Sequence, residues 1–420
     1  MNVLKIIILL LALFRSPLFL VFGALALISF YSADIDISVV IIEMARLADS
    51  PLLVSLPLFI FTGVLLSESK TPIRMLHFSR IFLGWLPGGL AVVTLLVCAV
   101  FTAFTGASGI TIFALGGLLL PALLEEGYPE RFSMGLITSC GSLGLLFPPS
   151  LPLILFGVIA EVRIDHLFLA GILPGILMLV LLIGYSLKKS PPRQARPVYS
   201  AKEILQGLHV IAWELPLPII LLGGIYGGIF VPGEAAAVTA FYALAVEVLV
   251  HRDIPLKQLP LVMSKSMVMF GGILVVLAAS MASTNFLIDQ EVPTRFFEFL
   301  QLYIHDKYTF LLLLNVFLLL VGAMLNIFSA LVLIVPLILP IALGYGVDPI
   351  HLGIIFLTNL QIGYCLPPIG MDLFLASYRF ERPITELFYS TLPFNGILLI
   401  TLLIITYFPW LSTVLIHLLG

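Results

Sequence analysis

Two stretches decide the fold: Gly135-Leu-Ile-Thr-Ser-Cys-Gly-Ser-Leu-Gly144-Leu-Leu-Phe-Pro148-Pro149-Ser150, and Gly353-Ile-Ile-Phe-Leu-Thr-Asn-Leu-Gln-Ile-Gly363-Tyr-Cys-Leu-Pro367-Pro368-Ile-Gly370. In each, a glycine stands four residues before a Pro-Pro pair, and the second glycine follows the first by 219 residues. Each stretch reads as an apolar helix interrupted in mid-run. Lipid excludes broken backbone unless protein or a water-filled cavity covers it. Matched interrupted segments in two halves of a chain point to the binding site of a secondary transporter.

The rest of the chain agrees with a membrane setting. Of 420 residues, 61% are hydrophobic and 10% charged, with a mean hydropathy of +1.18. Soluble domains carry about 25% charged residues. The expected class is an all-α polytopic membrane protein lying in a lipid bilayer. The net charge of −3 gives no nucleic-acid footprint. Cys98, Cys140 and Cys365 lie in apolar context without metal-ligand spacing, and read as small buried hydrophobes. The seven histidines are scattered singly and include no His-x-x-x-His pair, which leaves a zinc hydrolase without a basis. No cofactor is expected. The N-terminus runs from an apolar stretch through Arg15-Ser16-Pro17 into a second one, and reads as an uncleaved membrane segment broken at Pro17.

A span takes about 20 apolar residues. Candidates are 3–31 (broken), 51–67, 81–105, 108–124, 132–158, 167–187, 213–231, 234–250, 266–288, 309–325, 327–345, 350–378 and 391–416. Residues 32–50 carry mixed charge and suit an interfacial amphipathic helix. Two pairs read as re-entrant hairpins with small, polar tips: 92–124 around Thr105-Gly106-Ala107-Ser108-Gly109, and 309–343 around Gly322–Asn326. The order in each half is hairpin, short loop, broken helix (132–158, then 350–378).

The halves are 1–187 and 207–420, joined by a polar linker, 188–206. Lys188, Lys189, Arg193, Arg196 and Lys202 place that linker in the cytoplasm. The loop 251–265, with Arg252, Lys257 and Lys265, leans the same way. We expect the two copies to insert in opposite directions.

A broken helix exposes carbonyls on one side of the break and N–H groups on the other. The first suits a desolvated Na⁺ and the second a carboxylate. The expected Na⁺ set in the first half is Gly106, Ser108 and Thr111 on the tip, with Gly144 and Pro148 on the break. In the second half it is Asn326, Thr358, Asn359, Gly363 and Pro367. The expected substrate set is Ser108, Ser139, Ser150, Gly370 and Asp372. Gly and Ser clusters also pack membrane helices, and Pro also kinks them; it is the matched repetition that favours binding. Asp372, near the second break, suits a cation or a polar cavity. Glu234 suits a helix N-terminal cap. Arg379 and Arg382 suit interfacial anchors, and Glu125, Glu126, Glu130 and Arg131 a solvated loop.

The chain resembles the large membrane subunit of TRAP transporters (tripartite ATP-independent periplasmic transporters) over essentially its whole length. The stretches that carry the resemblance are Pro57-Leu-Phe-Ile-Phe-Thr-Gly63, Leu86-Pro-Gly-Gly-Leu-Ala91, Gly106-Ala-Ser-Gly109, Gly144-Leu-Leu-Phe-Pro-Pro-Ser150 and Ala170-Gly-Ile-Leu-Pro-Gly175 in the first half. The second half adds Gly223-Gly-Ile-Tyr-Gly-Gly228, Pro232-Gly-Glu-Ala-Ala-Ala237, Asp348-Pro-Ile-His-Leu-Gly353 and Gly363-Tyr-Cys-Leu-Pro-Pro-Ile-Gly370.

The resemblance implies a Na⁺-driven importer of the bacterial inner membrane, with a scaffold and an elevator-like transport domain. It implies a small four-span membrane subunit as a separate chain, and a periplasmic substrate-binding protein. Substrates of the family are mostly organic acids, among them C4-dicarboxylates and sialic acids. The chain departs from the pattern where Ile110 and Thr111 follow Ser108-Gly109, at Val231-Pro-Gly-Glu234, at Asn326 and at Leu366. A stand-alone anion/Na⁺ symporter would share the hairpin-plus-break layout without needing a binding protein. An enzyme would need a nucleophile–base set or metal ligands inside the spans, and Asp372 alone supplies neither.

Overall fold

A computed structural model describes residues 18–46, 51–83, 88–191, 205, 207–209 and 211–419. The expected N-terminal break at Pro17 and most of the linker 188–206 lie outside these residues. Seven helices among them are long and apolar enough to cross a membrane, or eight when a bent pair counts as one span.

In chain order the first half contains α1 (Leu18–Ser32), α2 (Ser38–Arg46), α3 (Ser55–Glu68), α4 (Thr71–Leu83), α5 (Gly89–Thr105), α6 (Ser108–Glu125), α7 (Glu130–Cys140), α8 (Leu151–Ala160) and α9 (Ile164–Lys188). The second half contains α10 (Pro216–Tyr226), α11 (Pro232–Val250), α12 (Leu259–Asp289), α13 (Val292–Gln301), α14 (Lys307–Met324), α15 (Ile327–Gly344), α16 (Pro349–Gly363), α17 (Met371–Phe380), α18 (Ile384–Tyr407) and α19 (Trp410–Leu419).

Two expected spans divide. The stretch 81–105 belongs to α4 and α5, and α5 begins beyond Gly88, whose φ of 70° is left-handed. The stretch 391–416 parts at Phe408-Pro409, because Pro409 has no N–H to continue the helix. Residues 32–50 do carry a helix, α2. Glu234 caps α11 as expected: its carboxylate accepts the Val231 N–H at 3.1 Å.

Both interruptions have a regular cause. α7 ends at Cys140, a short 3₁₀ turn covers Leu143–Leu146, and α8 restarts after the Pro148–Pro149 pair with its axis turned by 43°. α16 begins under Asp348, which accepts the N–H groups of Ile350 and His351 at 2.9 and 3.0 Å, and ends at Gly363. The chain is then irregular to Gly370, whose left-handed φ of 54° starts α17. Both Pro-Pro bonds are cis.

The two broken helices lie with opposite ends adjoining. Arg382, just past α17, pairs with Glu130 at the start of α7 at 2.5 Å. At the other end Gly353, near the start of α16, packs on Phe156 near the end of α8. Each break is sealed by a hairpin. A Cβ at Gly144 would collide with the α5 backbone at Ala99 and Ala103. A Cβ at Gly363 would stand 2.7 Å from the backbone of Gly322 in α14.

Away from the breaks, Arg74 on α4 binds Glu214, Asp253 and Glu247, the last at 2.8 Å, and ties α4 to the end of α11 and the loop that follows it. Burial alone would raise the Asp253 carboxyl, but hydrogen bonds from the Arg74 guanidinium and the Lys70 N–H hold it below the usual aspartate range.

Two predictions follow from this packing. Gly363→Ala gains helix propensity but meets backbone that cannot rotate away. The purified protein should lose on the order of 1–3 kcal/mol, read as a lower melting temperature. Gly396→Ala, where nothing lies within 4 Å, is the control that should not fall. Arg74→Met strands three carboxylates, and its melting temperature should drop as for a broken buried ion pair, about 3–5 kcal/mol.

Candidate functional site

The two hairpin tips open onto one cavity of about 780 Å³. Gly106, Ala107 and Ser108 line it from the first tip, and Asn326, Ile327 and Phe328 from the second. Tyr364 and Met371 contribute from the second break, and Glu68 and Lys265 from α3 and α12.

The first tip forms because Gly106 ends α5 with a left-handed φ of 66° and lies flat against Leu151 at the start of α8. Ser108 then opens α6. Its hydroxyl donates to Asp372 Oδ1 at 2.6 Å, and both side chains are buried. The hydroxyl group of one half's tip thus holds the carboxylate of the other half's break. Asp372 Oδ2 is buried with no partner among the described residues. The Asp372 N–H reaches back to Tyr364 O at 3.1 Å, so the carboxylate is fixed to the break itself.

The second tip is built differently. Asn326 accepts the Ser329 N–H at 2.9 Å and caps α15. Ala323 O, just before the tip, accepts the N–H groups of Ile369 and Gly370 at 3.2 and 3.1 Å. Gly370 therefore gives its N–H to the hairpin, and a carboxylate would have to compete for it.

The remaining expected residues differ in how they are engaged. Thr111 shares a hydrogen bond of 2.6 Å with Thr102, which donates to Gly141 O at 2.7 Å, so the first tip is stitched to the first break. Asn359 donates its amide N–H groups to Asn315 Oδ1 at 2.8 Å and to Ile355 O at 2.9 Å, while its own Oδ1 is buried with no partner among the described residues. Ser139, Ser150 and Thr358 are buried and do not line the cavity, and none of the three hydroxyls has a partner among the described residues. The carbonyls of Gly144 and Gly363 accept the Phe147 and Leu366 N–H groups, at 3.0 and 2.9 Å, each leaving one lone pair. Pro148 and Pro367 sit at the two interruptions.

Buried polar atoms are nearly always hydrogen-bonded. Unpartnered oxygens on Ser139, Ser150, Thr358, Asn359, Gln361 and Asp372, all on the broken helices, are acceptors of the type a hard cation takes.

Lys265 was not legible from composition. Its neighbours Arg252 and Lys257 make it look like part of a positive loop, but α12 starts at Leu259 and carries it into the cavity, where it pairs with Glu68 at 2.6 Å.

The sequence of the chain matches the family model of the tripartite ATP-independent periplasmic transporter, DctM component, over residues 5–411. It belongs to that family. It is 36% identical over 364 residues to an isethionate TRAP transporter permease, DctMQ, of Oleidesulfovibrio alaskensis, covering 86% of this chain and 57% of that relative. It is 33% identical to the C4-dicarboxylate large permease DctM of Pseudomonas aeruginosa, over 95% of this chain and 93% of that one. It is 30% identical to the ectoine/5-hydroxyectoine large permease UehC of Ruegeria pomeroyi, covering 86% of this chain and 85% of that one. In fold it is similar to the YdaH transporter of Alcanivorax borkumensis, with a TM-score of 0.57 and 14% identity over 88% of this chain and 87% of that one. The TRAP permease is thus a multi-pass transporter subunit, and its relatives are permeases rather than enzymes.

The first tip tests the packing directly. Gly106→Ala imposes a left-handed L-residue, costing about 1–2 kcal/mol, and sets a Cβ 2.5 Å from Leu151. Transport should fall sharply. Adding Leu151→Ala should restore little of it, because the Cβ that alanine keeps still lies 2.7 Å from the new Cβ and the left-handed backbone is unchanged.

Proposed function

We propose that this TRAP permease is a Na⁺-coupled secondary importer of an organic acid, a carboxylate of the kind that includes C4-dicarboxylates and sialic acids. It works in the bacterial inner membrane with a small four-span membrane subunit and a periplasmic substrate-binding protein. The observation that carries this is the Ser108–Asp372 bond, which joins the two half-sites at the cavity. An ion bound there would be sensed by both halves at once, through the first hairpin and the second broken helix. The Na⁺ ligands we assign are Asp372 and Ser108, with hydroxyls of Ser139, Ser150 and Thr358 and free lone pairs of the break carbonyls.

Two further features support the assignment. The adjoining opposite ends of the broken helices fit halves inserted in opposite directions. The Arg74 network ties α4 to α11 rather than to the hairpins, which fits a scaffold past which an elevator-like transport domain travels. Two net charges entering across 100 mV would supply about 4.6 kcal/mol. That is enough for roughly a thousand-fold accumulation without ATP.

The test is uptake into proteoliposomes that contain this chain and its small subunit, with carboxylates offered under Na⁺ or K⁺, with and without the binding protein. Uptake needing both Na⁺ and the binding protein is expected. Uptake with Na⁺ alone would indicate a stand-alone symporter, and uptake indifferent to Na⁺ would remove the ion sites. Asp372→Asn keeps the shape and an acceptor for Ser108 but loses the charge. Its Na⁺-driven uptake should fall at least tenfold, and the steepness of its Na⁺ dependence should decrease.

A further inference from the structure

The cavity has charges of both signs and a net charge of zero. Among the described lining residues the charged side chains are Lys265 and Glu68. Glu68 ends α3 and Lys265 stands two turns into α12, and their Nζ–Oε1 distance is 2.6 Å. The other polar groups facing them are Ser67, Ser108, Asn326 and Tyr364, all neutral at pH 7. Asp372 lies behind Ser108, fully buried. The pair is half-exposed, at 47% and 44%, and such pairs hold together weakly. It can part for a ligand.

What can part it follows from charge. A simple anion that takes Lys265 leaves Glu68 unpaired beside a second negative group. A dianion makes this worse, because one cation then faces three negative charges. A molecule with one carboxylate and one cationic group exchanges both partners together: its carboxylate takes Lys265, and its cation takes Glu68. No charge is then left alone in the cavity.

We propose that Lys265 and Glu68 select an amphoteric substrate, a small carboxylate that also carries a cationic group, which enters by replacing their ion pair. This rests on the carrier function proposed above, and narrows its substrate class.

The test is calorimetric titration of the complex of this chain with its small subunit, in Na⁺. The amphoteric probes are ectoine and 4-aminobutyrate, isethionate is the monoanion, and succinate is the dianion. An amphoteric probe should bind at least tenfold more tightly than succinate. Glu68→Gln and Lys265→Met should each weaken it tenfold or more, and Glu68→Lys combined with Lys265→Glu should recover part of the loss. The melting temperature of each unliganded variant checks that it folds. If succinate binds and neither amphoteric probe does, the amphoteric assignment falls and the carrier stands. It also falls if both single variants bind an amphoteric probe like the wild type. If no probe binds and none is transported in Na⁺, both proposals fall.

Discussion

Unpaired backbone cannot face lipid, and the rest of this molecule is arranged around that constraint. Two helices are broken in mid-run, so N–H and C=O groups at each break need cover. The hairpins provide it, and they do so by contact between main chains. Gly144 lies on the backbone of α5, and Gly363 on that of Gly322. Ile369 and Gly370 donate to Ala323 O. Any side chain at these glycines would hold the hairpin off the break and expose the groups it covers. The glycines are therefore required by the breaks, and the breaks by the need for polar backbone in the middle of an apolar protein.

The architecture was legible because its signals come in pairs. Gly144 with Pro148-Pro149 and Gly363 with Pro367-Pro368 mark the interruptions, and Gly106 and Asn326 mark the tips. Helix ends were less legible. Pro409 divides what composition alone reads as one span, since hydropathy averages over a missing N–H. Site residues were less legible still. Asn359 spends its amide N–H groups on Asn315 in α14 and on its own helix, which leaves its buried Oδ1 as the atom without a partner among the described residues. Ser139 and Thr358 are buried with hydroxyls that lack a partner among the described residues, and they stand outside the lining of the cavity. Lys265 reads as a loop charge when it is grouped with Arg252 and Lys257, although Pro260, in the first turn of α12, is a residue that commonly opens a helix.

The contact that sequence repetition hides is the one between halves. Pairing each tip with its own break accounts for Thr102 and Gly141 in one half and for Ala323 and Gly370 in the other. It does not account for Ser108, which belongs to the first tip and holds a carboxylate of the second break. Because the broken helices lie with opposite ends together, the restart of the second comes beside the first hairpin. Two sites that are separate along the chain then share a wall. A group bound at that wall touches both halves, whereas one bound at either break touches one.

This arrangement also separates two electrostatic tasks. The buried carboxylate of Asp372 has one oxygen satisfied by Ser108 and one free, and a lone buried charge is stable only when a cation or proton accompanies it. Lys265 and Glu68, by contrast, neutralise each other in the open part of the cavity and need no ion. The first group calls for a cation or a proton, and the second is a pair that can be exchanged. If the substrate bound at Asp372 directly, its charge and that of the ion would compete for one oxygen. With Ser108 held to Asp372 on one side and Lys265 to Glu68 between α12 and α3, the two pairs share no side chain, and an ion and a solute could be held by different groups.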